Sequence, residues 1–191
     1  MNRKETTELL TDILIHDRLS DRKYYAKEVS IDYGTTNVKR VDVMEFVPQS
    51  VMSVSGIEKG NFVCYEIKSC KEDIFSGHGL NFLGEQNYIV TTMETYKTLC
   101  GSAIIANGEI QDFIKKHNPE SSTDFGFLIP VPSYIDLRNH QEINREFENP
   151  TEFKGEAKNW KLCKMLSSPL SSRKRSMTEL LFCMLRSKHN N

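Results

Sequence analysis

The chain has 191 residues, 38% of them apolar and 27% charged, with 25 basic and 26 acidic side chains and a net charge of −1. That length suits one domain, or one domain with a modest extension, and buries enough surface to need no disulfide or metal staple. The charge balance excludes a histone-like coat on nucleic acid, and no apolar run reaches the roughly 20 residues of a membrane span.

The first residues, Met1-Asn2-Arg3-Lys4-Glu5, lead into a polar helical pattern rather than an apolar leader, so no signal peptide is expected. Leu9, Leu10, Ile13 and Leu14 recur at helical spacing and predict an opening amphipathic helix over 6–19. Three runs rich in Val, Ile, Phe and Tyr read as strands: 27–33, 40–47 stopped by Pro48, and 62–69. Ser55-Gly56 and Lys59-Gly60 supply turn material between the second and third. A short fourth strand is expected over 87–91. Thr91 and Glu94 then fit a capping box for a helix running to about Cys100. A helix near 109–117 and a strand at 125–131 follow. This alternation predicts an α/β fold, a mixed sheet with helices packed against it.

Charge shifts near Pro150. Residues 151–191 hold nine basic against three acidic side chains, a balance of +6, so the first 150 residues carry −7. The expected division is a 1–150 domain and a basic, helical 151–191 extension packed on it or tethered to it. Ser176 and Glu179 fit a capping box for a closing helix over 177–187. The five cysteines form no C-x-x-C pair, which excludes zinc-ribbon and thioredoxin spacings and suits a reduced, cytoplasmic protein. Neither H-E-x-x-H, nor a phosphate-binding G-x-x-x-x-G-K-[ST] loop, nor a G-x-S-x-G elbow occurs.

The informative residues lie on the second and third strands. Paired antiparallel through a turn near 54–56, the strands bring together residues whose numbers sum to about 109. Asp42 then faces Glu66 to Lys68. Glu66 and Lys68, two apart, share one side of their strand, while Tyr65 and Ile67 share the other. Two carboxylates a few ångströms apart repel, and a hard cation such as Mg²⁺ or Mn²⁺ relieves that repulsion with help from a carbonyl and waters. Such a cation acidifies water and neutralises phosphoryl charge, and a neighbouring lysine steadies the charge that develops. That is phosphodiester hydrolysis. Glu66 and Lys68 equally suit a plain same-face ion pair with Asp42 a solvated strand-end residue. E-x-K recurs at Glu152–Lys154 and Glu156–Lys158, so spacing leaves both readings open.

Val41-Asp42-Val43-Met44-Glu45-Phe46, followed by Tyr65-Glu66-Ile67-Lys68-Ser69-Cys70-Lys71-Glu72-Asp73-Ile74-Phe75, resembles the core of the PD-(D/E)XK nuclease superfamily, and most of all its MmcB-like, DNA-repair-associated branch. Asn87-Tyr88-Ile89-Val90, Phe125-Gly126-Phe127-Leu128-Ile129 and Lys27-Glu28-Val29 resemble further strands of that family, so the likeness covers about residues 24–132. It implies a restriction-endonuclease-like core, a mixed four- to five-stranded sheet flanked by helices. It also implies a Mg²⁺- or Mn²⁺-dependent deoxyribonuclease acting in repair, recombination or mobile-element processing. Asp42 and Glu66 would be metal ligands and Lys68 the catalytic lysine. The Ile67 carbonyl would complete the metal shell, and Glu28 would be an extra acidic ligand, with Glu8 a poorer candidate. The alternative is a nuclease scaffold with little or no hydrolysis that binds nucleic acid or protein. A Ser/Met-rich insertion at 49–60, and Ser76-Gly77-His78-Gly79-Leu80-Asn81-Phe82 in place of a tryptophan-centred block, depart from the family.

Other residues keep two readings. His78 is a phosphate contact or a turn residue, and Asp73 a helix cap or a site residue. Arg173-Lys174-Arg175 is a DNA grip or a solvated approach to the last helix. Trp160 is a base-stacking platform or a buried anchor. The Leu180, Leu181, Met184, Leu185 stripe docks on the core or on a partner.

Overall fold

A computed structural model describes residues 1–19 and 24–189. Asn2 and Glu5 form a reciprocal capping box that starts α1, Arg3–Ile13. The helix runs on as one wider π turn, Leu14–Arg18. Leu9, Leu10, Ile13 and Leu14 are all buried. At about 1.5–3 kcal/mol per buried side chain, this stripe outweighs the cap, worth about 1 kcal/mol, in fixing where the helix lies.

Among the described residues six strands form one sheet in the order of the chain. They are β1 (Tyr24–Ile31), β2 (Lys39–Val47), β3 (Asn61–Ile67), β4 (Gln86–Val90), β5 (Gly126–Pro132) and β6 (Trp160–Leu166). β1–β2–β3 is an antiparallel meander, β3–β4–β5 is parallel, and β6 returns antiparallel on β5. The parallel steps need crossovers, supplied by α3 (Lys71–Ile74) with its following loop and by α4 (Met93–Gly101) and α5 (Glu109–His117). The short α2 (Val54–Glu58), capped by Ser53, closes the β2–β3 hairpin. α6 (His140–Glu148) joins β5 to β6, and α7 (Met177–His189) packs on β1.

Both faces of the sheet are covered. One carries α1, with Leu9, Leu10 and Ile13 against Val43, Val63, Tyr65, Ile67 and Tyr88. The other carries the remaining long helices, with Met93, Ile110, Ile114, Ile143 and Leu180 against Met44, Phe62, Cys64 and Phe127. Among the described residues no helix is long and apolar enough to cross a membrane.

The α/β class and mixed sheet are as expected from the sequence, but the sheet has six strands rather than four or five. The added strand is β6, which falls inside the segment expected to be a helical extension. Residues 160–166 instead complete the sheet, so no boundary separates them from residues 1–150. Trp160, Leu162 and Cys163 are buried there while Lys164 stays in water, and lysine on an edge strand discourages pairing with another chain. The α4 cap is Thr92, whose Oγ1 accepts the Thr95 N–H at 3.2 Å, and not Thr91. Thr91 is held by the sheet instead, its N–H donating to Leu128 O at 3.3 Å.

Gly126 shows how tightly the parallel strands meet. A Cβ there would run into the backbone oxygen of Leu166, lie 2.6 Å from the Ser168 nitrogen and lie 2.8 Å from the Tyr88 ring. Gly126→Ala should therefore destabilise the fold by about 1–3 kcal/mol, read as a lower urea midpoint with an unchanged slope. An unmoved midpoint would mean that β6 does not approach β4 and β5 this closely.

Candidate metal centre at the open end of β2 and β3

The β2–β3 ladder places Val43 opposite Tyr65, a register whose residue numbers sum to 108, and it ends there. Beyond that pair the strands part. The Ile67 N–H points toward β2 but meets the Asp42 carboxylate, donating to Oδ2 at 2.8 Å. Asp42 thus fills the place of a ladder carbonyl and is tied to the third strand. Along a strand the N–H and C=O of one residue project to the same side, so the Ile67 carbonyl also faces the gap next to Asp42.

Glu66 follows the parity of Phe62 and Cys64 and lies under the helical layer, with no exposed surface. Its Oε1 accepts the Asn81 N–H at 3.2 Å. Its Oε2 is buried without a hydrogen-bond partner. Lys68 Nζ lies 3.6 Å from Oε2, an ion pair longer than a hydrogen bond, and donates to the His78 carbonyl at 3.2 Å. Burial, then the nearby Asp42 charge, push the Glu66 carboxyl up to about 8, against the lowering effect of Lys68 and of the Leu80 and Asn81 N–H groups. Burial raises Asp42 as well, opposed by Lys68, the Ile67 N–H and Arg40.

These groups lie at the floor of a cleft of about 720 Å³. Its walls are α1, through Thr7 and Thr11, the β1–β2 edge and the 77–79 turn. Asp42, Ile67 and Lys68 line it, and Glu66 sits just beneath. Glu28 also lines it. The pairing runs Lys27 to Val43 and then Val29 to Val41, so Glu28 and Asp42 are the unbridged residues between. Glu28 adopts φ 53°, which interrupts the ladder, and its carboxylate holds Arg40 Nε at 2.7 Å. Its pKa is raised by burial and by Asp42, with Arg40 opposing. The structure therefore brings Asp42, Glu66, Lys68 and the Ile67 backbone together, and sets Glu28 beside them in a separate ion pair. Glu8 is exposed and paired with Lys4 at 3.8 Å, outside the cleft lining.

Among the described residues no three His, Cys, Asp or Glu side chains converge on one point to hold an ion. That disfavours zinc, which takes four side-chain ligands in structural sites and three in catalytic ones. A Mg²⁺-like ion is different: it is held by one or two carboxylates and keeps several waters. The orphaned Oε2 of Glu66, Asp42 at the cleft floor and the Ile67 carbonyl suit that requirement.

The 76–82 segment, which departs from the family pattern, encloses the site. Gly77 and Gly79 take φ of 79° and 83°, a conformation open to glycine, and the turn folds back over the pair. A Cβ on Gly79 would run into Lys68 Nζ and Glu66 Oε2. Asn118 Nδ2 holds the Gly79 carbonyl at 2.8 Å, and Asn81 Nδ2 holds the Arg40 carbonyl at 2.8 Å. Sequence reasoning missed Gly79, Asn81 and Asn118. The Gly-His-Gly spacing was the available sign that the chain reverses sharply there.

The remaining candidates divide. Asp73 is not the α3 cap, which is Cys70. Its Oδ2 accepts from the Ser69 N–H and hydroxyl at 3.0 and 3.1 Å, bracing the turn after Lys68. His78 is an exposed turn residue whose carbonyl serves Lys68. Arg173 pairs with Glu85 at 3.0 Å, and Arg175 with Asp32 and Glu120 at 2.9 Å each, so both guanidinium groups brace the fold. Trp160 is buried, with Nε1 donating to Lys154 O at 3.0 Å and its ring against Phe153. Leu180 and Met184 are buried and Leu185 is exposed. Comparison with protein-family models, with curated proteins and with solved structures returns no match.

Proposed function

We propose that the chain is a Mg²⁺- or Mn²⁺-dependent nuclease that hydrolyses phosphodiester bonds of DNA. The observation that carries this reading is the convergence of Asp42, Glu66 and Lys68 where β2 and β3 part, with one carboxylate oxygen of Glu66 left without a hydrogen-bond partner. Asp42, Glu66 and the Ile67 carbonyl would hold the cation. Such an ion supplies charge neutralisation at a phosphoryl oxygen and makes water more acidic. The chain's own residues do the rest. Asp42 stays fixed by the Ile67 N–H. Lys68, steadied by the His78 carbonyl, presents an ammonium to the reacting phosphate and stabilises the negative charge that grows there. Burial under the 77–81 turn keeps bulk water from screening these charges.

The test is cleavage of single-stranded, duplex and branched DNA with and without Mn²⁺. Cutting of at least one form, abolished by chelation, is expected. No cutting of any form with the cation present would remove the hydrolytic reading.

A second reading is a nuclease scaffold kept for binding. It is favoured by the complete cover over Glu66 and by the engagement of Arg173 and Arg175 with acidic partners. Calorimetry separates the two: salt-sensitive DNA binding without Mn²⁺ binding belongs to the second alone.

A further inference from the structure

We propose that Asn81 is the positioning residue that holds the two cation-binding carboxylates in register, an inference that rests on the reading of Asp42 and Glu66 as ligands. The parting of β2 and β3 after Val43 and Tyr65 creates room for an ion but removes the ladder that would fix one strand against the other. Two contacts cross the gap in its place. One is Asp42 itself, on the Ile67 N–H. The other is Asn81. Its side-chain amide donates to the carbonyl of Arg40, two residues before Asp42 on β2, at 2.8 Å. Its backbone N–H donates to Glu66 Oε1 on β3 at 3.2 Å.

Asn81 therefore touches the strand of one carboxylate and the carboxylate of the other. By occupying Oε1 it leaves Oε2 as the oxygen without a hydrogen-bond partner. The residue is 5% exposed, and its side-chain hydrogen bond lies on the cleft wall. Both of these hydrogen bonds are made to the protein, so the role assigned to Asn81 is to orient and to hold. Residues that orient metal ligands in this way typically cost 10–100-fold in metal affinity when lost.

The experiment is Mn²⁺ affinity, by electron paramagnetic resonance and calorimetry, for the wild type, Asn81→Ala and Asn81→Ser. Asn87→Ala serves as a structural control. Asn87 is a fully buried amide that ties Gly84 and Asp124 together and touches neither carboxylate. About 10–100-fold weaker Mn²⁺ binding is expected for the Asn81 variants and none for Asn87→Ala, although all three lower the melting temperature. In the cleavage assay the Asn81 defect should shrink as Mn²⁺ is raised, because the loss is in ligand geometry rather than in Lys68. Wild-type Mn²⁺ affinity in both Asn81 variants, or an equal loss in Asn87→Ala, overturns the role of Asn81 and leaves the cation site standing. If the wild type itself binds no Mn²⁺, the site and the role of Asn81 fall together. The serine variant keeps the test alive should the alanine variant not fold, since serine is too short to reach the Arg40 carbonyl yet keeps a polar side chain.

Discussion

Lys68→Met and Asp42→Asn should each lower Mn²⁺-dependent DNA cleavage by about 10²–10⁴-fold, the range over which positioned proton-transfer and charge-stabilising groups act. Neither change should unfold the protein. In Asp42→Asn the new amide keeps an oxygen for the Ile67 N–H that Asp42 now accepts at 2.8 Å, so the end of the hairpin stays pinned while a ligand charge is lost. Methionine is close to lysine in length and fills the same buried space without the ammonium. Its cost to the fold is tempered because Glu66, already pushed up to about 8 against the lowering effect of Lys68, holds its proton more firmly once that charge is gone, so no bare carboxylate is left buried. The two variants should nonetheless differ. Asp42→Asn should also weaken Mn²⁺ binding, whereas Lys68→Met should leave it intact or tighten it, since a cation no longer competes for Glu66 Oε2 at 3.6 Å. Melting curves, Mn²⁺ titrations and cleavage rates on the same preparations separate these effects. Retained cleavage in both variants would show that the reacting phosphate lies elsewhere.

The arrangement around these residues was partly legible in the sequence. The pairing of β2 with β3 follows from two runs of alternating residues, a stop at Pro48 and turn residues midway. A hairpin's register is fixed by the centre of its turn, so Asp42 falls beside Glu66 and Lys68 on arithmetic alone. The parity of β3 likewise sends Tyr65 and Ile67 to the α1 face and Glu66 to the other.

What arithmetic missed is the burial of both faces. A strand seen by itself does not reveal that α4, α5 and α6 will cover the face on which Glu66 lies, and the carboxylate has zero exposure. The loop at 76–82 was obscure for a related reason. Its hydrogen bonds run to His78 O, Gly79 O, Arg40 O and Glu66 Oε1 from residues up to 41 positions away in the chain, and no local pattern encodes such pairs. β6 was hidden by its lysines: Lys161 and Lys164 made the segment read as part of a basic, helical extension, although Trp160, Leu162 and Cys163 are the residues that bury it against the sheet. The six-stranded sheet therefore had to be seen, while the acid–acid–lysine trio could be anticipated.

The second large effect concerns stability against pH without divalent cations. Glu66 is pushed from the ordinary 4.5 up to about 8 in the folded protein, chiefly by burial and then by Asp42. A carboxyl whose folded pKa lies above its unfolded value binds more protons folded than unfolded between those two values. Stability then falls as pH rises through that window. The contribution is fully present below about pH 4.5 and lost once pH passes about 8. Asp42 is raised for the same first reason and adds in the same direction at the acid end. Glu66→Gln replaces the carboxyl by a group that cannot ionise, while its amide oxygen still accepts the Asn81 N–H. The metal-free wild type should therefore lose stability relative to Glu66→Gln from about pH 5 to pH 8, by a few kcal/mol on the scale of roughly 1.4 kcal/mol per pH unit. For a chain of this size that is on the order of 10 °C in melting temperature. Mn²⁺ should close the gap from the wild-type side, because an ion that binds only the folded state stabilises it by about 2.7 kcal/mol at a hundred times its dissociation constant. The variant, lacking a ligand charge, should gain little. Thermal melts of both proteins at half-unit pH steps, with and without Mn²⁺, contain the answer. Curves that stay parallel across the window would mean that Glu66 ionises in an ordinary, wetted environment. The buried carboxylate that links the fold to the cation would then not exist.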